Sequence, residues 1–499
     1  MAVVSGPSVP LDSTPSVSSR SAWSVSLPLL LFFVVSVSLN GPGGLPLLAD
    51  PDSQWHVTVG NWIIDNGRFP TVDVYSHTFL GQPWIAKEWG SQLLLAVAYD
   101  LGGWAAVTTL AAVAIGATFA LLLRLLLRDL RPFPAILFTL GALVMSSPHF
   151  LARPHVLAFP LILLWVSGLV RAAEARRAPS PWLLGVMLLW ANMHAGFTLG
   201  ILLAGAFALD ALVGARDLAE RKRLFFAWLR FGIGTVAAAC ITPYGPESLL
   251  VTSRIFGMGE ALSYISEWQS PNFQKQGLME IMVLVALYLA LSRGLKVPLV
   301  RLLILLGLVH LFLSYVRNAE LLATLAPLVL APVLARQFPA MAAEAQPEGW
   351  LARLARPAGP AAVALAVALP LALGAKMIVD GSVVPPVDNT PARAVAWARD
   401  NGLEGRVFNH YGFGGYLISQ GVPTYIDGRG ELFGGAFVAQ YARSVNLSGD
   451  ESFEALLDRH EIGWTLLLPR QPANQLLARL PNWRRAYGDD AAVIYVRER

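Results

Sequence analysis

Between Trp104 and Leu123 the sequence reads WAAVTTLAAVAIGATFALLL, without one charged residue. A helix of this length spans about 30 Å, which is the thickness of the hydrocarbon core of a bilayer. The whole chain shares this character, because its 499 residues are 55% hydrophobic and 14% charged. Soluble domains carry about 25% charged residues. A single water-soluble globule is therefore excluded.

Other apolar runs repeat this pattern along the chain, whereas the last part of the sequence does not. Residues 386–499 contain 25 charged residues in 114, about 22%, against about 12% in residues 1–385. We predict a polytopic α-helical membrane protein, with a transmembrane domain over 25–380 and a water-soluble domain over 386–499. The prediction is about eleven spans, within a range of ten to twelve: 25–40, 104–123, 133–148, 155–170, 181–192, 197–214, 225–242, 278–292, 298–315, 319–335 and 358–380.

The basic residues predict the orientation. Alternate loops, at 124–131, 171–177, 216–223, 293–301 and 336–356, carry 16 Lys and Arg, whereas those at 41–90, 149–154, 191–196, 244–276 and 316–319 carry 6. Because cytoplasmic loops are richer in Lys and Arg, the leader 1–24 is predicted to be cytoplasmic and the C-terminal domain external. In a bacterium this places the protein in the inner membrane with a periplasmic tail. The first span is interpreted as a retained helix, because residues 40–44 lack a small-x-small cleavage pattern.

Several functional classes lack support in the sequence. Cys240 is the single cysteine, so neither an intrachain disulfide nor a Cys/His zinc site can form. The chain contains no Walker, GxSxG or HExxH motif, which leaves ATP-driven transport and serine or zinc hydrolysis unsupported. No basic stripe with interleaved aromatic residues indicates a nucleic-acid partner.

The first predicted outer loop, 41–103, contains an acidic pair. Asp50 can cap a helix that begins at Pro51, and Asp52 then lies one turn before His56 on the same face. The opposite face is apolar and predicts a helix lying in the membrane interface. Two acids beside a histidine can supply a general base or ligands for a hard divalent cation. The structural alternative is that Asp50 only caps and Asp52 only pairs with His56. The apolar stripe consists of Trp55, Val59, Trp62 and Ile63.

The remaining polar clusters fall on the same predicted side, where ionisable groups are costly to keep without a role. Glu88 is a candidate acid, with the alternatives of a salt bridge to Lys87 or a cap for a helix at 89–101. His194 follows the fifth span, and a buried, hydrogen-bonded histidine is its alternative. Glu267 lies in the outer loop 244–276, where a simple turn is equally compatible.

Basic residues at the ends of two spans are candidates for phosphate binding, because Arg presents a planar fork of donors. Arg153 and His155 precede the fourth span, and Arg317 ends the ninth. Anchoring at the membrane surface is the alternative for Arg153. For Arg317 the alternative is an ion pair with Glu320.

The C-terminal domain alternates predicted helices and strands, which indicates a small α/β fold. A helix capped at Thr390 is followed by glycine-rich and aromatic loops at 409–416 and 427–431, which can be binding surfaces or tight turns. The predicted strands are 406–411, 422–426, 464–469 and 491–497, and the later helices are 435–445, 452–460 and 473–480.

Two segments resemble a widespread bacterial branch of the GT-C superfamily of polytopic glycosyltransferases, and more distantly the oligosaccharyltransferase catalytic subunits and protein mannosyltransferases. The resemblance is carried by Asp50-Pro-Asp52, Trp55-His56, Gly60, Gly67, Pro70, Asp73, Ser76, Thr78, Gly81, Pro83-Trp84, Glu88-Trp89, Asn409 to Tyr416 and Ile426 to Arg429.

This resemblance implies transfer of a sugar from a polyprenyl-phosphate donor to a lipid, glycan or protein acceptor at the periplasmic face, with inversion. Asp50 would be the base and Asp52 a second base, while Arg153, His155 and Arg317 would hold the donor phosphate. If Mg²⁺ or Mn²⁺ is used, Asp50, Asp52 and Glu267 are the implied ligands. The implied substrate-binding residues are His56, Glu88, His194, Glu267 and Tyr411.

A different class, a transporter or an assembly partner for envelope glycans, is the alternative interpretation. Transporters typically have broken helices at the membrane midplane and paired repeats. Here the polar residues gather at one predicted face and no internal repeat is evident. This distribution favours chemistry on a lipid-borne substrate.

Overall fold

The structure is a computed structural model that describes residues 21–40, 47–274, 277–343, 349–449 and 451–498. Most of the predicted leader 1–24, the start of the first outer loop and short parts of the loops at 244–276 and 336–356 lie outside the described residues. The described chain is mainly helical and carries one small sheet near its C-terminus.

Each of the eleven predicted spans coincides with a helix. Four helices are long and apolar enough to cross a membrane, namely Trp89–Leu126, Pro154–Glu174, Val316–Gln337 and Pro360–Asp380, and five shorter apolar helices lie among the described residues. The protein is therefore a membrane protein. In chain order the helices of this region are α1 (Leu27–Leu39), α2 (Asp52–Asn66), α3 (Trp89–Leu126), α4 (Pro132–Ser146), α5 (Pro154–Glu174), α6 (Trp182–Met193), α7 (Phe197–Val213), α8 (Leu218–Ala239), α9 (Glu247–Phe256), α10 (Leu278–Ser292), α11 (Leu299–Ser314), α12 (Ala319–Gln337), α13 (Trp350–Leu354) and α14 (Pro360–Asp380).

The helix α3 forms the centre of the bundle and packs against α1, α2, α5 and α14. It is broken by Gly102 and Gly103, where Gly103 has φ of +59°, so its first part belongs to the loop region and its second part to the bundle. At the periphery, α10 has no buried residue among those described. Its side chains Ile281, Leu284 and Tyr288 are 54%, 55% and 68% exposed, as expected for a surface that contacts lipid.

The helix α2 begins at Asp52, one residue later than predicted, so Pro51 and not Asp50 occupies the N-cap position. Asp50 Oδ1 accepts a hydrogen bond from the backbone N–H of Asp52 at 2.7 Å. The apolar stripe does not face lipid, because it is covered by protein. Trp55, Val59 and Ile63 are buried against Trp84, Ala86 and Ile418.

The C-terminal region contains β1 (Arg406–Asn409), β2 (Ile462–Leu467), β3 (Trp483–Gly488) and β4 (Val493–Arg497), in the order β1-β2-β4-β3. The pair β1 and β2 is parallel and the other pairs are antiparallel. The strand predicted at 422–426 is wrong, since this segment pairs instead with the first loop through a Thr424–Ser76 bridge. The helices are α15 (Ala392–Asp400), α16 (Gly414–Ser419), α17 (Gly430–Val445), α18 (Phe453–Arg459) and α19 (Pro472–Leu477).

A fully buried ion-pair network joins the C-terminal region to the first loop. Arg429 Nη1 donates to Asp73 Oδ1 at 2.5 Å, while its Nε and Nη2 donate to the two carboxylate oxygens of Asp427 at 2.8 and 2.7 Å. The guanidinium lies 5.1 Å from the ring centroid of Tyr75 and 4.9 Å from that of Trp84. Burial alone would raise the pKa of Asp73, but Arg429 and the hydrogen bonds from Ser76 and Tyr75 hold it below its usual value.

A second buried charge lies at the opposite end of the bundle. Arg301 of α11 is 3% exposed, and its Nη1 lies 2.6 Å from Glu174 of α5. Its Nε donates to Asp210 of α7 at 3.0 Å. Arg336 of α12 also pairs with Glu174. These ion pairs connect α5, α7, α11 and α12 at the ends of the helices that are predicted to face the cytoplasm.

We expect Arg429→Met to destabilise the protein by about 3–5 kcal/mol, because it leaves two buried carboxylates without their cation. Arg484 is a matched control, since its side chain is 63% exposed and pairs with Glu498 at 3.0 Å. Arg484→Met should cost less than about 1 kcal/mol. Thermal unfolding of both variants in detergent measures the difference, and equal midpoints would contradict the structural role of Arg429.

Candidate functional site

The centre of the site is the guanidinium of Arg153, which three carboxylates approach from three segments. Arg153 Nη1 donates to Asp50 Oδ2 at 2.8 Å and to Glu267 Oε2 at 2.9 Å. Its Nη2 donates to Asp52 Oδ2 at 2.9 Å. The structure thus brings together the predicted acidic pair, the predicted acid of the second long loop and a predicted phosphate-binding arginine.

Backbone contacts fix Arg153 beside the acidic pair. The N–H of Ala152 donates to the carbonyl of Leu47 at 2.6 Å, and its carbonyl accepts from the Ser53 hydroxyl at 3.0 Å. These two contacts flank residues 50–52. Arg153 then precedes Pro154, the first residue of α5, so the restricted backbone of the proline follows at once. The position of the guanidinium is consequently set by neighbours on both sides.

Glu267 connects Arg153 to a second cation. Its other oxygen, Oε1, accepts from Arg317 Nη1 at 2.7 Å, and the Arg317 guanidinium lies 4.5 Å from the ring centroid of Trp268. The alternative of an Arg317–Glu320 pair is wrong. Glu320 lies instead 3.7 Å from His155 Nε2, which donates to the carbonyl of His149 at 3.1 Å.

A neighbouring group centres on Glu88, whose two oxygens face two histidines, the buried His56 and the partly exposed His194. His194 Nε2 lies 3.4 Å from Oε1 and His56 Nε2 lies 3.9 Å from Oε2. The Nδ1 of His56 lies 3.2 Å from the Gln92 amide, and that of His194 accepts from the N–H of Gly196. Burial lowers the pKa of both histidines well below 6.5, and the charge of Arg153 acts in the same direction. Glu88 therefore faces neutral imidazoles, which present Nε2–H to it.

Lys87, the predicted alternative partner of Glu88, points elsewhere. Its Nζ lies 2.5 Å from Glu431 Oε1, which belongs to α17. His56 is likewise not the partner of Asp52, because Asp52 binds Arg153. The first loop is thus tied to the C-terminal region by a second ion pair beside the Arg429 network.

Two glycines of the C-terminal region lie directly on the acidic pair. A β-carbon on Gly415 would lie 2.1 Å from the carbonyl oxygen of Pro51, and one on Gly428 would lie 1.9 Å from Asp52 Oδ1. Tyr411 is close enough that Asp52 and Glu267, together with burial as the larger effect, raise its pKa well above 10. The C-terminal region therefore covers the acids and contributes Tyr411, which the sequence predicted as a substrate contact.

The carboxylates differ in their proton affinity. Burial raises the pKa of Asp52 from 3.8 to about 7, and the charges of Asp50 and Glu267 add to the rise while Arg153 opposes it. Burial also acts to raise the pKa of Glu267, but Arg153 and Arg317 lower it to about 2. One acid is thus permanently charged and another exchanges a proton near neutral pH, the arrangement that a general base requires.

The three acids were also the predicted ligands of Mg²⁺ or Mn²⁺, and carboxylate oxygens suit such hard ions. Here, however, Asp50, Asp52 and Glu267 each direct an oxygen at Arg153. Within the described ranges, no group of three or more His, Cys, Asp and Glu has the geometry to hold a metal ion. The residues as arranged do not fit a divalent cation.

Several residues of the site were not predicted as site residues from the sequence. Gly415 and Gly428 were interpreted as loop residues, and the Asp73–Asp427–Arg429 network was not foreseen. A signal exists in the sequence Asp427-Gly-Arg-Gly, because an arginine between glycines can approach another backbone closely. Its partner Asp73 lies 356 residues away, beyond the reach of local spacing.

No protein-family model matches this chain, and no curated protein matches it either. Among solved structures, the chain is similar to the crystal structure of the Archaeoglobus fulgidus oligosaccharyltransferase in the apo form. The identity is 12%, the match covers 88% of this chain and 69% of that chain, and the TM-score is 0.48.

We expect the carboxyl group of Asp52 to lose its proton near pH 7. Because its pKa is higher in the folded protein than the ordinary 3.8, ionisation of Asp52 lowers the free energy of unfolding as pH rises from about 4 to about 7. Infrared spectra of the purified protein should show a protonated-carboxyl band that disappears with a midpoint near pH 7 and is missing in Asp52→Asn. A band that persists unchanged in Asp52→Asn would assign the proton to another residue.

Gly415→Ala should destabilise the protein by about 1–3 kcal/mol, because a methyl group would meet the backbone of Pro51. Gly428→Ala meets the Asp52 carboxylate instead, and we expect it to shift the infrared titration of Asp52 with a smaller loss of stability. Gly185 of α6 is the matched control, because a β-carbon added there would meet no atom within 4 Å. Thermal unfolding of the three variants tests these contacts. Equal unfolding midpoints for Gly415→Ala and Gly185→Ala would contradict the close contact between Gly415 and Pro51.

Proposed function

We propose that this protein is a membrane glycosyltransferase that moves a sugar from a polyprenyl-phosphate donor to a hydroxyl-bearing acceptor. The observation that carries the proposal is an acid with a pKa of about 7, Asp52, which is bound to Arg153 beside two further acids at one end of an apolar helical bundle. A site in this position suits a substrate whose lipid lies in the membrane and whose sugar lies beside these residues.

The chemistry needs a base for the acceptor and cations for the leaving group. One acid of the pair Asp50 and Asp52 takes the proton of the acceptor hydroxyl as its oxygen bonds to the anomeric carbon. The bond from that carbon to the phosphate oxygen breaks, and polyprenyl phosphate leaves as an anion. A single displacement inverts the anomeric configuration. Both acids were predicted for this role, and the pKa of Asp52 makes it the favoured base.

The cations of the site divide into two roles. Both Nη1 donors and one Nη2 donor of Arg153 are hydrogen-bonded to carboxylates, so Arg153 is better placed to orient the acids than to bind phosphate. Among the described residues, Arg317 has one such bond and is 25% exposed along its side chain. We assign the donor phosphate to Arg317, with His155 beside it, because charge-assisted bonds stabilise a departing anion.

Further residues fit substrate contacts. His56 is buried and faces Glu88 from inside the protein, whereas the His194 side chain is 19% exposed beside Glu88, and Tyr411 approaches the acids from the C-terminal region. Neutral imidazoles and a phenol are suitable partners for sugar hydroxyls. The acceptor class (lipid, glycan or protein), the polyprenyl carrier and a bacterial inner membrane with an external site belong to the same proposal.

We expect Asp52→Asn to lower sugar transfer by at least about 100-fold, the typical contribution of a general base. The purified protein is assayed with polyprenyl phosphates that carry a hexose or a pentose, and release of polyprenyl phosphate is measured by mass spectrometry. Asp65→Asn is the matched control, because Asp65 is an exposed acid on the same helix. Wild-type rates in both Asp50→Asn and Asp52→Asn would refute the assignment of the base.

Two further outcomes test the class of protein. Mass spectrometry of envelope glycans from cells that lack the gene should show one missing sugar, restored by the wild-type gene and not by the Asp52→Asn gene. Movement of unchanged glycan across reconstituted vesicles, without release of polyprenyl phosphate, would instead establish the transporter interpretation.

A further inference from the structure

The arrangement around Arg153 differs from an ordinary salt bridge. Three carboxylates from distant parts of the chain direct one oxygen each to two nitrogens of the same guanidinium, at 2.8–2.9 Å. Without a cation between them, these acids would repel each other in a partly buried space. Converging carboxylate oxygens are also the ligands that divalent ions such as Mg²⁺ and Ca²⁺ take in proteins.

We propose that Arg153 is a built-in cation of the site, occupying the place that a divalent metal ion would otherwise take between Asp50, Asp52 and Glu267. The wild-type protein then binds no divalent ion at this point and needs none. Removing the guanidinium converts the three acids into a metal site. The binding part of this inference is independent of the proposed function, whereas its catalytic part rests on it.

The charges support a permanent cation. An arginine keeps its proton at all physiological pH values, and the three acids raise the pKa of Arg153 further against the effect of burial. Glu267 is bound by two guanidinium groups, that of Arg153 at 2.9 Å and that of Arg317 at 2.7 Å. The bond between Arg153 and Glu267 is therefore present whatever the protonation state of Asp52.

The backbone supports a permanent position. Ala152 is bonded on one side to Leu47 and on the other to Ser53, so the residue before Arg153 is bound to both flanks of the acidic pair. A metal ion would have to displace a cation that the chain itself holds in place. Such a cation is always present, whereas a metal ion is present only at sufficient concentration.

The experiment measures Mn²⁺ binding to the full-length protein in detergent by electron paramagnetic resonance. We expect Arg153→Ala to bind one Mn²⁺ at least about tenfold more tightly than wild type. Addition of Mn²⁺ should then raise the thermal unfolding midpoint of this variant and not that of wild type. Methylguanidinium, which has the shape of the lost group, should displace that Mn²⁺. Arg317→Ala is the matched control, because it removes a cation from Glu267 and leaves Arg153 in place, and should gain no site.

Two results would overturn the inference. One is a Mn²⁺ ion bound by wild type and lost in both Asp50→Asn and Glu267→Gln. The other is a folded Arg153→Ala protein whose Mn²⁺ affinity equals that of Arg317→Ala. If Arg153→Ala does not fold, Arg153→Gln takes its place, and the wild-type titration alone still decides whether a metal occupies this point.

The transfer assay separates this inference from the proposed function. Wild type should keep its full rate in EDTA, and a rate that requires added Mn²⁺ or Mg²⁺ would refute the built-in cation while leaving glycosyl transfer standing. If the Mn²⁺ results are as expected and no donor is turned over, the proposed function alone fails.

Discussion

The burial of Arg429 between Asp73 and Asp427 is the constraint on which the rest of the functional region depends. A guanidinium with no exposed surface needs both carboxylates, and Asp73 lies 356 residues before Arg429, so this ion pair holds the C-terminal region against the first loop. That docking brings Gly415 and Gly428 onto the backbone and carboxylate of the acidic pair. The geometry of the candidate site is therefore fixed by a contact that does not belong to the site.

Within the site, opposite charges are placed before any substrate arrives. Arg153 and Arg317 keep Glu267 ionised, whereas burial raises the pKa of Asp52 so far that this acid is partly protonated at physiological pH. Fixed charges in a partly buried space need no rearrangement during a reaction, which is the main way in which proteins stabilise developing charge. The same arrangement explains why acids, histidines and arginines, all costly near a membrane, are gathered in one place.

The helices could be predicted from the sequence because the length of an apolar run is a local property. Each predicted span contains a helix. Convergence of the polar clusters was also predictable, since alternation of loops places every second loop at the same end. Ion-pair partners were harder to predict from the sequence, because Arg317 binds Glu267, 50 residues away, and not the nearby Glu320. The segment 422–426 has the composition of a strand, but its Thr424 pairs with the first loop instead of the sheet. The strand β3 was missed because Arg484 and Arg485 are exposed and interrupt its apolar pattern.

The buried pairs of Arg301 have a consequence for how the protein is made. Glu174 and Asp210 are synthesised before their cation, and Asp210 precedes Arg301 by 91 residues. The acids on α5 and α7 must therefore stay hydrated, or in contact with the insertion machinery, until α11 emerges from the ribosome. Final closure of these helices is then a late event in biogenesis, and a chain truncated before α11 would leave Glu174 and Asp210 without Arg301 at this end of the bundle.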